Sequence, residues 1–140
     1  MSSYALDYLV WKLSTTTQTE TGNIDYRGAH IHYVAYGQGE PVLLLHGGLS
    51  NKLSWFSQIP WLVASGRRVV LVDTRGHGSS TAGNTKLSYQ IFAEDTLQVL
   101  DRLGIQRTDI IDIEFFQPVA ILAKCAEQFW IITHRLKSGR

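Results

Sequence analysis

Two runs of four aliphatic residues, Val42-Leu43-Leu44-Leu45 and Val69-Val70-Leu71-Val72, lie about 27 residues apart, and each stops at a polar loop that carries glycine. An aliphatic run without polar alternation suits a strand covered on both faces, as in a parallel sheet flanked by helices. Between the two runs, residues 51–64 carry a helical pattern with Leu53, Phe56 and Leu62 or Val63 as core candidates. Pro60 either kinks that helix or splits it, and Gly66 suits its end. Ser88 can cap a second helix over residues 89–103, on which Ile91, Phe92, Val99, Leu100 and Leu103 share a face, and Gly104 stands at the C-terminal cap position. Residues 109–113 read as a further strand. Ahead of these elements, residues 24–26 and 31–36 read as two short strands, with Gly28 in the turn between them. Alternating buried strands and helices predict the α/β fold class, a parallel sheet with helices on both faces.

A chain of 140 residues fits one domain and can bury a sizeable core. Thirteen basic against twelve acidic side chains leave a formal charge of +1, so no basic excess points to nucleic acid or to an anionic membrane surface. No apolar stretch reaches the length of about 18 residues expected of a membrane span. The first residues lack a basic segment followed by an apolar run, and the single cysteine, Cys125, cannot form an internal disulfide. A cytoplasmic protein is expected. The polar tract Ser14-Thr15-Thr16-Thr17-Gln18-Thr19-Glu20-Thr21 makes residues 1–22 a candidate flexible arm.

The loops after the two aliphatic runs are where chemistry is expected. In His46-Gly47-Gly48, paired glycines after a strand let backbone N–H groups face a pocket without obstruction by Cβ, and such groups can hold a developing oxyanion. The plainer reading is a glycine turn with His46 bonded locally. Two other patterns are weaker. His30 and His32 alternate onto one strand face, a spacing that can hold a metal, but no third ligand accompanies them, so an ordinary strand face and no metal are expected. The segment Gly76-His77-Gly78-Ser79-Ser80-Thr81 places Thr81 where a dinucleotide fingerprint needs its third glycine, and no P-loop lysine pattern exists.

Taken together, His46-Gly47-Gly48 and Asp73-Thr74-Arg75-Gly76-His77-Gly78-Ser79-Ser80, in register with the hairpin, Trp55 and the helix ending Leu100-Asp101-Arg102-Leu103-Gly104-Ile105, resemble the α/β-hydrolase family over about residues 24–111. The resemblance implies a cofactor-free hydrolase acting on an ester or related small carbonyl substrate. It places an oxyanion-hole N–H at Gly48, with Leu49 as its neighbour. It gives His46 and Gly47 a loop-shaping part, and it makes Asp73, Arg75, Gly76, Gly78 and Ser80 a mainly structural loop.

The same resemblance implies a serine nucleophile in Gly-x-Ser-x-Gly directly after the next strand, then an acid and a histidine further on. The chain there reads Asp112-Ile113-Glu114-Phe115-Phe116-Gln117-Pro118, with neither serine nor glycine. A strained turn needs small residues around the nucleophile. Beyond it, His134, Ser138, Glu114, Glu127 and Cys125 offer no recognisable triad. Eleven glycines precede position 112 and only Gly139 follows it. The expectation is therefore a partial hydrolase domain over residues 23–111, followed by a divergent tail over residues 112–140, in the manner of a truncated or frameshifted and catalytically silent fragment. The family's sheet has about eight strands in the order 1-2-4-3-5-6-7-8, of which five can be placed. A sheet ending at the fifth would leave an open edge that invites self-association. The competing expectation is a non-enzymatic module that binds a partner through that edge and through Phe115, Phe116, Phe129 and Trp130.

Overall fold

The computed structural model describes residues 3–14, 17–47, 50–112 and 130–135. Helix α1 spans Ser3–Ser14, and two antiparallel strands follow, β1 Thr19–Tyr26 and β2 Ala29–Tyr36. Next come β3 Glu40–Leu45, a 3-10 turn Lys52–Trp55, α2 Ile59–Ala64 and β4 Arg67–Val72. The order closes with α3 Tyr89–Arg102, β5 Arg107–Asp112 and β6 Trp130–Arg135. Among the described residues they form one six-stranded sheet in the order β1-β2-β4-β3-β5-β6. The strands β4, β3, β5 and β6 run parallel, and β2 joins β4 antiparallel.

Register sets the geometry of everything above the sheet. Leu45 pairs with Val72 on one side and with Asp112 on the other, so β3, β4 and β5 end level. The loops after them therefore leave from one edge of the sheet, where α/β folds place their ligands.

Helices cover both faces, as the aliphatic strand runs require. On one face Leu43, Leu45, Val70 and Val72 pack with Ala93, Val99 and Leu100 of α3. On the other, Leu44, Val69 and Leu71 pack with Trp55, Ile59 and Leu62. Helix α3 starts where Ser88 accepts a hydrogen bond from the Ile91 N–H and stops at Gly104 (φ +68°). There the Ile105 N–H reaches the Leu100 carbonyl at 2.9 Å and the Gly104 N–H reaches that of Asp101 at 3.1 Å, a paired closure that satisfies two terminal carbonyls. Pro60 sits in the first turn of α2 and has no N–H to continue a preceding helix, which is why residues 51–64 form a 3-10 turn and a separate short helix. Leu53, one of the core candidates, is half exposed, and Trp55 fills the core position instead. The β1–β2 hairpin turns through Arg27 and Gly28, both at positive φ, the two-residue geometry whose twist matches the flanking strands.

Two expectations are corrected. The segment taken as a flexible arm contains α1, and β1 reaches back to Thr19. Tyr8 and Trp11 share one face of α1 and meet Tyr36, Phe56 and each other, so aromatic burial orders this helix. The end of the polar tract, Thr19-Glu20-Thr21, joins the outer strand β1 because backbone pairing with β2 needs no apolar side chain. The sheet also does not end at β5. Strand β6 pairs with it in parallel from Arg107↔Trp130 to Asp112↔Arg135, which covers the edge expected to lie open.

Candidate active site

Three clamps, built around residues of the two glycine loops, fasten the end of β4 to β3 and the turn after it, to α3 and to the hairpin. The first is His46, buried at the end of β3. Its Nε2 accepts the backbone N–H of Thr74 at 3.0 Å, which leaves the ring proton on Nδ1 to be donated to the Gly47 carbonyl at 2.8 Å. The Thr74 hydroxyl also lies 3.1 Å from Nε2. A hydroxyl against an imidazole resembles a nucleophile–base pair. Here both residues are buried and the imidazole lone pair is already held by the backbone, so the pair ties β3 to β4 and has no room to attack a substrate.

The second clamp is Asp73, fully buried at the end of β4. One carboxylate oxygen accepts the Lys52 N–H at 2.8 Å, and the other accepts the Lys52 ammonium at 2.6 Å and the Ser79 N–H at 3.0 Å. Burial alone would push this carboxyl up. The Lys52 and Ser79 hydrogen bonds and the Lys52 charge outweigh it and hold the group below the usual aspartate value. Gly78, at φ +52°, passes so close that a Cβ there would stand 2.5 Å from the Asp73 carboxyl carbon. Ser80 completes the loop by donating to the Asp73 carbonyl at 2.7 Å and accepting the His32 N–H at 2.8 Å.

The third clamp is Arg75, fully buried beneath the same loop. Its guanidinium makes a two-pronged contact with Asp95 of α3, at 2.9 and 2.7 Å, and donates to the Tyr26 and Arg27 carbonyls at 2.7 and 3.1 Å. The Asp95 hydrogen bonds push the guanidinium value up. Arg75 therefore fastens the β4 loop to α3 and to the hairpin turn. Gly76 makes the bend that follows, at φ +77°, and its N–H closes onto the Thr81 carbonyl at 3.0 Å.

Of the residues singled out from sequence, His46, Gly47, Asp73, Arg75, Gly76, Gly78 and Ser80 gather at this edge. Gly48 and Leu49 lie outside the described residues, as do the turn after Asp112, Cys125 and the aromatic residues 115, 116 and 129. The His134 backbone sits in β6 opposite Ile111. The side chains of His30 and His32 pair with Asp25 and Asn23 across the hairpin, while the His32 backbone is held by Asp73 and Ser80 of the β4 loop. Lys52 and Asp95 were not anticipated. Asp95 stands four residues from both Ile91 and Val99, an acid on an otherwise apolar helix face, and that signal was available. Nothing in the sequence marks Lys52.

Residues 40–111 match the alpha/beta hydrolase fold family. The chain belongs to that family. It is 37% identical over 103 residues to epoxide hydrolase B of Mycobacterium tuberculosis, a match covering 69% of this chain and 29% of that protein. With the non-heme chloroperoxidase CPO-A1 of Kitasatospora aureofaciens it shares 33% identity over 84 residues, covering 60% of this chain and 30% of the other. The solved esterase of Exiguobacterium antarcticum superposes with a TM-score of 0.73 at 25% identity, over 81% of this chain and 44% of the esterase. The chain spans about a third of the length of the curated relatives it matches.

Proposed function

We propose that this chain supplies the oxyanion-holding part of a cofactor-free hydrolase for small-molecule ester or epoxide substrates, and that by itself it turns over neither. The observation that carries the reading is the common level at which β3, β4 and β5 end. That level brings His46 and Gly47, at the end of β3, beside the end of β5 at Asp112, after which the family resemblance expects a nucleophile. Backbone N–H groups fixed beside such a position stabilise charge as it develops on the attacked group. The similarity to an epoxide hydrolase and to a solved esterase supports the substrate class.

The inactivity follows from the sequence after β5. Residues 112–118 contain no serine, cysteine or glycine, so the tight strand-to-helix turn has neither a serine nucleophile nor the small flanking residues that would present any other, the carboxylates of Asp112 and Glu114 included. Oxyanion stabilisation without a nucleophile leaves electrostatic assistance only. The test is hydrolysis of p-nitrophenyl acetate and of styrene oxide by the purified chain. Rates equal to buffer are expected for both. Saturable turnover of either one, surviving substitution of the exposed His30, would overturn the reading.

A further inference from the structure

A cavity opens between α1, the β1–β2–β4 part of the sheet and the 3-10 turn, with a volume of about 290 Å³. That volume is at the small end of what ligand sites offer. None of its lining residues is an aspartate or glutamate. Val34, Leu53, Ile59 and Leu71 give it an apolar body, whereas Tyr8, Tyr36 and Lys12 give it donors and charge.

The two tyrosines are decisive. Both are buried, and their hydroxyls lie 3.2 Å apart. Two hydroxyls carry two protons, and the contact between them uses one. The other has no acceptor among the described residues, although buried donors as a rule find one. Burial, and then the hydrogen bond with Tyr8, keep the Tyr36 hydroxyl protonated well above the usual phenol value, so the pair remains a donor. Lys12, on the same helix as Tyr8 and four residues on, makes no ion pair among the described residues. The Lys52 ammonium is already committed to Asp73, and burial lowers the value of the His32 imidazole that also lines the cavity, so Lys12 supplies the available positive charge.

We propose that this cavity binds a small monocarboxylate with an apolar or aromatic body, its carboxylate taking the spare tyrosine proton with the Lys12 ammonium close by. A carboxylate accepts such a proton more strongly than a neutral carbonyl does, and the cation adds to the preference. The apolar body replaces water against Val34, Ile59 and Leu71.

Phenylacetate and its neutral analogue phenylacetamide separate charge from shape. Titrated into the ¹⁵N-labelled chain at fixed ionic strength, phenylacetate should shift the amides of Tyr8, Lys12, Val34 and Tyr36 saturably, and phenylacetamide should bind about tenfold more weakly, the discrimination expected for one hydrogen bond to a charged group. Lys12→Gln, at an exposed position, should weaken phenylacetate several-fold and leave phenylacetamide unchanged. The double substitution Tyr8→Phe with Tyr36→Phe should weaken the acid more than the amide and so narrow the gap between them, and Lys12→Gln still reads the charge if that double variant does not fold. Absence of saturable shifts up to about 20 mM, far weaker than the millimolar affinity worth roughly 4 kcal/mol, overturns the proposal. So does equal affinity for acid and amide, or unchanged binding in Lys12→Gln. The cavity shares Lys52 with the strand-end clamps but not the oxyanion loop, so failure here leaves the hydrolase reading standing, and ester turnover by the chain would leave this one standing.

Discussion

Asp73 and Lys52 meet twice: the aspartate accepts the lysine's backbone N–H at 2.8 Å and its ammonium at 2.6 Å, from a position with no solvent exposure. One residue thereby fixes both the path and the charge of the turn that leaves the glycine loop after β3. Removing one partner of a buried pair strands the other, and that costs more than the pair contributes net. Asp73→Ala should therefore destabilise the chain by about 3 kcal/mol, because it also leaves the Ser79 N–H unanswered. Urea unfolding followed by tryptophan fluorescence checks this, and a loss below about 1 kcal/mol, the range of an exposed pair, would show that the clamp is solvated.

Gly78 and Gly104 both sit at positive φ, but only Gly78 is crowded. A Cβ at Gly78 meets the Asp73 carboxylate at 2.5 Å, and a Cβ at Gly104 meets nothing within 4 Å. Gly104→Ala should lose only the cost of a left-handed backbone, about 1 kcal/mol. Gly78→Ala should lose clearly more, since the carboxylate cannot withdraw without breaking its bonds to Lys52 and Ser79. Denaturant midpoints for the two variants decide the point. Equal losses would mean that backbone conformation, not the close approach, is what position 78 requires.

Much of the fold was written into local sequence. Four-residue aliphatic runs without polar alternation place β3 and β4 in the sheet interior, and Ser88 and Gly104 mark where α3 begins and ends. What could not be read locally depends on partners distant in the chain. Helix α1 is ordered by Tyr36 and Phe56, which lie well beyond it in sequence. The Thr19 end of β1 is fixed by backbone pairing, to which polar side chains are indifferent. The site divides in the same way. Its glycines, Asp73 and Arg75 stand in two short motifs, whereas Lys52, which neutralises Asp73, is identified only when the loops are brought together.

Arg75 offers a sharper test of geometry than of charge. Its fork reaches two oxygens of Asp95 and two backbone carbonyls, a pattern a lysine ammonium cannot match although it keeps the charge. Arg75→Lys should lower stability by about 2–3 kcal/mol, approaching the loss in Arg75→Ala. Near-wild-type stability in the lysine variant would mean that charge alone holds the hairpin turn to α3. Thermal unfolding of the two variants side by side gives the answer.

The Asp73 clamp also predicts how stability responds to acid. Its carboxyl is held below the ordinary aspartate value in the folded chain, so between the folded and unfolded values the unfolded state binds more protons. The stabilisation it contributes is fully present above about pH 4, where an unfolded aspartate ionises, and is lost as pH falls through the lower folded value. Asp73→Asn removes that titration. Urea midpoints measured from pH 7 down to about pH 3 should fall for the wild-type chain and fall less steeply for Asp73→Asn, so that the gap between the two narrows in acid. A gap independent of pH would mean that Asp73 acts through shape and neutral hydrogen bonds, and that the Lys52 ammonium contributes nothing specific to the ionised form.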